Sequence, residues 1–110
     1  MNFNDMKIFV TIYETKSINK SSKFLQYAQS NLSARLKVIE TELGAKLFLR
    51  NYNGLVPTEK GDFFYQFCKE TSNNLENLKK RISEAKVRVL VSELLLNHDI
   101  NNLHTIDLCI

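Results

Sequence analysis

Apolar residues recur along this chain at two different periods, and the change of period divides it into elements. Met6, Phe9, Val10 and Tyr13 fall at i, i+3, i+4 and i+7, which is one face of a helix. The spacing predicts a first helix over about residues 4–15, capped by Asn4 or Asp5, with its apolar stripe in the core. A short second helix follows, with Ser17 as N-cap and Ile18, Ser21, Ser22 and Leu25 along one side. Small residues at 21 and 22 let another helix approach closely. The stretch AQSNLS leaves room only for a tight turn between helices. Leu32, Leu36, Ile39 and Leu43, spaced by four, three and four, predict a third helix. It runs to about Leu43 and stops at Gly44, which is suited to the left-handed conformation.

After Gly44 the period shortens. Leu47-Phe48-Leu49 and Leu55-Val56 are two brief apolar runs around Asn51-Tyr52-Asn53-Gly54, residues that tolerate positive φ. This reads as a two-stranded hairpin ended by Pro57, with Thr58 capping the next helix. Phe64, Cys68, Thr71, Leu75, Leu78, Ile82, Ala85 and Val89 then keep an unbroken 4, 3, 4, 3 spacing. Such a repeat predicts a long helix that packs along a partner helix. The competing reading folds the seam back onto its own domain. The regular repeat and the shortness of the chain favour dimerisation, with Phe64, Cys68, Thr71, Leu75, Leu78, Ile82 and Ala85 at the seam. The expected division is a domain over residues 1–58, a linker helix over 59–89 and a tail over 90–110. Within the last part VRVLVS suits a strand or the end of the helix.

The order helix, helix, tight turn, helix, hairpin describes a mainly α fold: a winged helix–turn–helix, with a three-helix core and a short β-hairpin wing, followed by a long dimerisation helix. Its third helix has a distinctive outer face. Ser30, Ser33, Ala34, Lys37 and Thr41 point away from the Leu32 stripe, and no acid stands among them. A helix entering the major groove of duplex DNA needs short side chains, donors and acceptors for base edges, and cations for phosphates. Gln29 can pair two ways with adenine, Ser33 can donate or accept, and Lys37 and Arg35 would reach phosphates or guanine. The positive end of the helix dipole favours a phosphate near Ser30 and Asn31. Arg50, at the base of the hairpin, is placed for the backbone or a minor groove, with Asn51 and Asn53 beside it. Lys20 and Lys23 on the second helix are expected phosphate contacts, and Ser17 is counted with the DNA-facing residues. Singly each has a plainer reading: Gln29 as a cap, Lys37 as a solvated lysine, Arg50 paired with an acid such as Glu42. Together, on one face of this element order, they favour DNA.

Charge sharpens this picture. All fifteen Lys and Arg lie at or before Arg88, against nine acids there, a net +6, while the rest of the 110 residues holds three acids and neither Lys nor Arg. A basic body suits a polyanion, nucleic acid or a membrane surface. The N-terminus has an early acid and no long apolar core, so it does not read as a signal peptide. No apolar run approaches the ~20 residues that span a bilayer, and two cysteines make no disulfide framework. The cytoplasm is the expected location. An enzyme is not expected: there are no paired carboxylates with a matching His, no Gly-rich phosphate loop and no activated nucleophile. His98, His104 and Cys109 fit no strong zinc spacing, so neither a metal nor a cofactor is expected.

With these residues in place the chain resembles the N-terminal region of LysR-type transcriptional regulators over roughly Met1 to Glu84. The resemblance rests on MKIFVTIYETKSINKSSKFL, QSNLSARLKVIETELGAKLFLR and LVPTEKG. In family terms these carry Ser17-Ile18 opening the second helix, Gln29 and Ser33 at the recognition helix, and an ending of the form Leu-Glu-x-x-Leu-Gly. Leu47-Phe48-Leu49-Arg50 and Thr58-Glu59-Lys60-Gly61 complete the pattern. The resemblance implies a homodimer with antiparallel linker helices that reads a pseudo-palindromic promoter site, and it leaves room for dimers to pair into tetramers. It also implies that Gln29, Ser30, Ser33 and Arg50 contact DNA. The chain departs from the pattern at Ser21-Ser22, where two alanines are usual, and at Ala28, where Ser is usual. Ser30 stands where Pro is common and Ala34 where Arg is frequent. Arg35 does not replace that Arg, since it points about 100° around the helix. These departures bear on the preferred base sequence rather than on the fold.

Family members usually continue into a two-lobed α/β effector domain. The residues after the linker are too few for one, so no small-molecule effector is expected to act on this chain. A competing function needs only the heptad seam: an interaction protein that pairs through its linker helix with a full-length relative and antagonises it.

Overall fold

Six elements follow one another in the order the periodicities imply: α1 (Phe3–Thr15), α2 (Ile18–Leu25), α3 (Gln29–Leu43), β1 (Phe48–Asn51), β2 (Gly54–Pro57) and α4 (Glu59–Leu95). The structure is a computed structural model that describes the backbone of residues 1–95 and side chains to residue 85. His98, His104 and Cys109 lie outside the described residues. The chain divides into two compact units, one spanning Met1–Thr71 and a second beginning at Ser72. Among the described residues no helix is long and apolar enough to cross a membrane.

The first helix starts earlier than expected. Asn2, not Asn4 or Asp5, is its N-cap: the Asn2 side chain accepts from the Asp5 amide at 2.9 Å, and the Asp5 carboxylate accepts from the Asn2 amide at 3.2 Å. This reciprocal box is worth about 1 kcal/mol or more. The buried stripe is also rotated from the expected one. Ile8, Phe9 and Ile12 are the buried apolar residues of α1, and Met6, Val10 and Tyr13 only flank the core. On α3, Leu32, Leu36 and Ile39 are buried, but Leu43 is 42% exposed, because the helix ends at Gly44 before its last turn meets another element.

The core of the first unit gathers Ile8, Phe9 and Ile12 with Leu32, Leu36 and Ile39, then Leu47, Phe48 and Leu55 from the hairpin, and Phe64 and Cys68 from α4. Phe9 is its centre, with ring centroids 5.3 Å from Phe48 and 4.6 Å from Phe64. Ser21 is completely buried and its hydroxyl meets that of Thr15 at 2.8 Å. A small hydroxyl therefore lets α2 close on the end of α1 without leaving a polar atom unpaired.

Position 61 requires glycine because a Cβ there would lie 2.2 Å from the Leu47 carbonyl oxygen. Thr58 explains that closeness. Its amide donates to the Leu47 carbonyl (2.9 Å), its hydroxyl donates to the Lys46 carbonyl (2.7 Å) and accepts from the Gly61 amide (3.0 Å). The Thr-x-x-Gly pattern thus clamps the first turn of α4 against the strand that opens the wing.

Two expectations for α4 change. The helix continues to Leu95, so of the two readings of VRVLVS the end of the helix holds, and the helix passes the expected end at residue 89. Phe64 and Cys68, assigned to a dimer seam, are instead 7% and 0% exposed in the core of their own protomer. Phe64 packs on the Phe9 ring and Cys68 joins the same buried cluster, so neither is free for a partner. Burial also pushes the Cys68 thiol up to about 11, which keeps it protonated and inert. Of the remaining seam, Thr71, Leu75 and Ala85 are half-buried, and Leu78 and Ile82 are 53% and 59% exposed.

Candidate nucleic-acid interface

The outer face of α3 is free of other elements. Gln29, Ser30, Asn31, Ala34, Lys37, Val38 and Thr41 are exposed and Ser33 is half-buried. Ala28 caps this helix with no side-chain hydrogen bond, whereas Asn2, Ser17 and Thr58 serve the other three helices. Gln29 is the first helical residue and does not act as the cap. The Asn31 amide donates to the Ala28 carbonyl at 3.1 Å; without a side-chain acceptor, the Ser30 amide before it stays available to an anion at the positive end of the helix dipole.

The two acids of α3 are engaged elsewhere. Glu40 accepts from the Leu47 amide at 2.7 Å and lies 3.9 Å from the Lys46 ammonium. Glu42 pairs with the N-terminal ammonium at 2.9 Å, not with Arg50. Asp5 is buried and takes both arms of Arg35, Nε at 2.9 Å and Nη2 at 2.6 Å. That guanidinium holds the Asp5 carboxyl below its ordinary value, against the upward push of burial. Arg35 is therefore a strut between α1 and α3, and its expected reach to phosphate or guanine is corrected: its donors are committed to Asp5.

The hairpin stands beside this face. β1 and β2 pair antiparallel, with Arg50 opposite Leu55 and Asn51 opposite Gly54. Asn51 accepts from the Asn53 amide at 2.9 Å, which tightens the turn. Two open clefts bring the separate elements together. One, of ≈ 400 Å³, is walled by Ser33, Lys37 and Glu40 of α3 and by Phe48 and Arg50 of the wing. The other, of ≈ 260 Å³, joins Lys16, Ser17 and Asn19 to Gln29, Arg50 and Asn51. Ser17, Gln29, Ser33, Lys37 and Arg50 thus converge around two adjoining clefts. Lys20 is exposed on α2 and Asn53 on the wing tip. Lys20, Lys23, Lys37 and Arg50 take part in no ion pair among the described residues.

Sequence reasoning passed over two surface features. Tyr52 is fully exposed at the wing tip; an aromatic flanked by Asn51 and Asn53 was the available signal. Val38, 45% exposed on α3, lies on the same helix as Ala34 and offers apolar contact of the kind a thymine methyl accepts.

This geometry has close counterparts. Residues 3–62 match the family described as "Bacterial regulatory helix-turn-helix protein, lysR family". The chain belongs to that family. It is 32% identical over 84 residues to the HTH-type transcriptional activator IlvY of Haemophilus influenzae, which covers 76% of this chain and 29% of IlvY. It is 31% identical over 80 residues to the HTH-type transcriptional regulator CzcR of Bacillus cereus, covering 73% of this chain and 28% of CzcR. The LysR-family chain described here therefore spans less than a third of the length of these curated relatives. Among solved structures, the BenM DNA-binding domain in complex with benA site 1 DNA superposes with a TM-score of 0.71 at 28% identity, covering 76% of this chain and 98% of that one. The CbnR DNA-binding domain, solved as a DNA complex, shares the fold with a TM-score of 0.73 at 22% identity, over 78% of this chain and 99% of that one. The relatives are transcriptional regulators, and what this chain carries is the LysR-type winged helix–turn–helix.

Proposed function

We propose that the protein binds double-stranded DNA sequence-specifically as a homodimer and regulates transcription. The observation that carries this reading is the set Gln29, Ser30, Ser33 and Lys37 on the outer face of α3, with no acid among them, bordered by Arg50 of the wing, which takes part in no ion pair among the described residues. Glu40 and Glu42 of α3 and Asp5 beneath it are each held by a partner inside the protein: Glu40 by Leu47, Glu42 by the N-terminus and Asp5 by Arg35. Gln29, Ser33 and Lys37 would read base edges and phosphates in the major groove. The first-turn amide of Ser30 and the side chains of Asn31, Ser17 and Lys20 would fix the register on the backbone. Arg50 and Asn53 would meet the backbone or minor groove beside it. In the second unit Leu78 and Ile82 are exposed apolar residues at heptad spacing, which supports pairing of two linker helices and two half-sites on the DNA.

The test is fluorescence anisotropy on genomic fragments selected by the purified protein, at low and moderate salt. Selected fragments should carry two related half-sites, and Gln29→Ala with Ser33→Ala should abolish their preference over random DNA. Binding at low ionic strength no stronger than that of a neutral control protein would end this reading.

A further inference from the structure

Lys16 stands on the cleft that holds Ser17, Gln29 and Arg50, yet its ammonium is turned inward. Its Nζ donates to the Tyr13 carbonyl at 2.6 Å and lies 3.7 Å from the centre of the Tyr13 ring. Lys16 is also one of two non-glycine residues with positive φ among the described residues, at 57°, a conformation an L side chain adopts only at a cost. That turn aims its carbonyl at the wing, where it accepts the Leu55 amide at 3.1 Å. The wing comes so near that a Cβ at Gly54 would lie 2.7 Å from the same carbonyl oxygen. Tyr13 in turn is fixed from α4: its hydroxyl donates to Asp62 at 2.7 Å, and its ring stacks on Tyr65 at 3.9 Å. Leu55 is the register partner of Arg50.

We propose that Lys16 is a positioning residue: seated on Tyr13, it holds the left-handed turn whose carbonyl moors the wing at Leu55, and so sets Arg50 against Gln29 without touching DNA itself. The inference rests on the DNA-binding reading above. Its physical basis is that a two-stranded hairpin is marginal alone. The Phe48 and Leu55 side chains bury its inner face, while the Lys16 carbonyl anchors its β2 edge. A cation committed to a backbone carbonyl and a ring face is then worth more as a brace than as one more surface charge.

Lys16→Met keeps the aliphatic stem and removes the ammonium. Lys16→Gly removes both the ammonium and the left-handed strain, and Lys16→Arg restores a cation. Hydrogen exchange at the Leu55 amide reports the mooring without any DNA. In the full chain, Met and Gly should speed Leu55 exchange about tenfold and weaken binding to a selected fragment by about tenfold. The slope of affinity against salt should stay unchanged, and Arg should recover both. Wild-type protection of Leu55 in Lys16→Gly would overturn the proposal, because the turn would then need only a permissive backbone. A salt slope reduced by about one ion with Leu55 unchanged would also overturn it, since Lys16 would be a phosphate contact. Failure of the wild type to bind any fragment would end the DNA reading and this role with it. Unchanged Leu55 exchange in a protein that does bind DNA would remove the brace alone.

Discussion

The start of α4 and the stretch after Ser72 carry the same heptad spacing and meet opposite fates. Phe64 and Cys68 vanish into the core of the first unit, while Leu78 and Ile82, drawn from the same repeat, stay more than half exposed. The contrast recurs on α3 between two cations. Arg35 is bound by a buried carboxylate, and Lys37, two residues on, has no ion-pair partner among the described residues. In both cases the sequence pattern sets which way a side chain points but is silent on what waits there. Phe64 meets the hollow left by Phe9 and Phe48; Leu78 meets none. Covered positions become stability and uncovered ones become capacity to bind.

Five variants would break or sharpen this contrast. The largest effect on folding belongs to Phe64→Ala, which should destabilise the first unit by about 3–5 kcal/mol through the cavity it opens, seen as an earlier midpoint in urea unfolding. If that midpoint stays put and the substitution instead abolishes the proposed pairing of two chains, Phe64 belongs to a seam after all. Leu78→Asp combined with Ile82→Asp should do the reverse. Compared where both proteins are monomeric, stability of the first unit should stay within about 0.5 kcal/mol, but sedimentation at micromolar concentration should find the variant monomeric, binding half-sites weakly. Dimers persisting at micromolar concentration would refute the seam.

On α3, Arg35→Met should lower the urea midpoint, by less than the loss of a fully buried pair would, because the guanidinium is partly exposed. The pair also has a pH signature. The Asp5 pKa is lowered below its ordinary 3.8 in the folded state, so its contribution is complete above that value and is lost as pH falls through the lower folded pKa. Asp5→Asn should therefore reduce stability near neutrality and flatten the acid limb of a stability-versus-pH curve. An unaltered acid limb would show that the pair does not anchor α1 to α3. The smallest effect is expected from Lys37→Ala: folding unchanged, and the salt dependence of DNA binding flattened by about one ion. A shift in the preference at a single base pair, with the slope intact, would make Lys37 a base reader instead.

Much of the architecture was legible in the residues. Gly44, Ser17 and Thr58 mark helix ends where they were expected, because the capping needs of a helix terminus are local. The hairpin was legible through Asn51 and Gly54 for the same reason. The true N-cap at Asn2 was missed, since Asn2, Asn4 and Asp5 are all competent caps and only the reciprocal bond to Asp5 separates them. Arg35 was misjudged because its partner lies thirty residues away on another helix. Lys16 gave no signal at all: a lysine in a left-handed turn has no sequence signature.

The amino-acid sequence alone determined the order of helices and hairpin, the inward stripes of α3, and the acid-free composition of its outer face. These follow from side-chain period and local capping, which act over a few residues. The tertiary structure decided which apolar residues of α4 are consumed by the core, which cation of α3 is withdrawn into a buried pair, and how closely the wing stands to Lys16. Those outcomes depend on contacts between residues distant in sequence, where packing leaves room for one occupant and the pattern along the chain offers several.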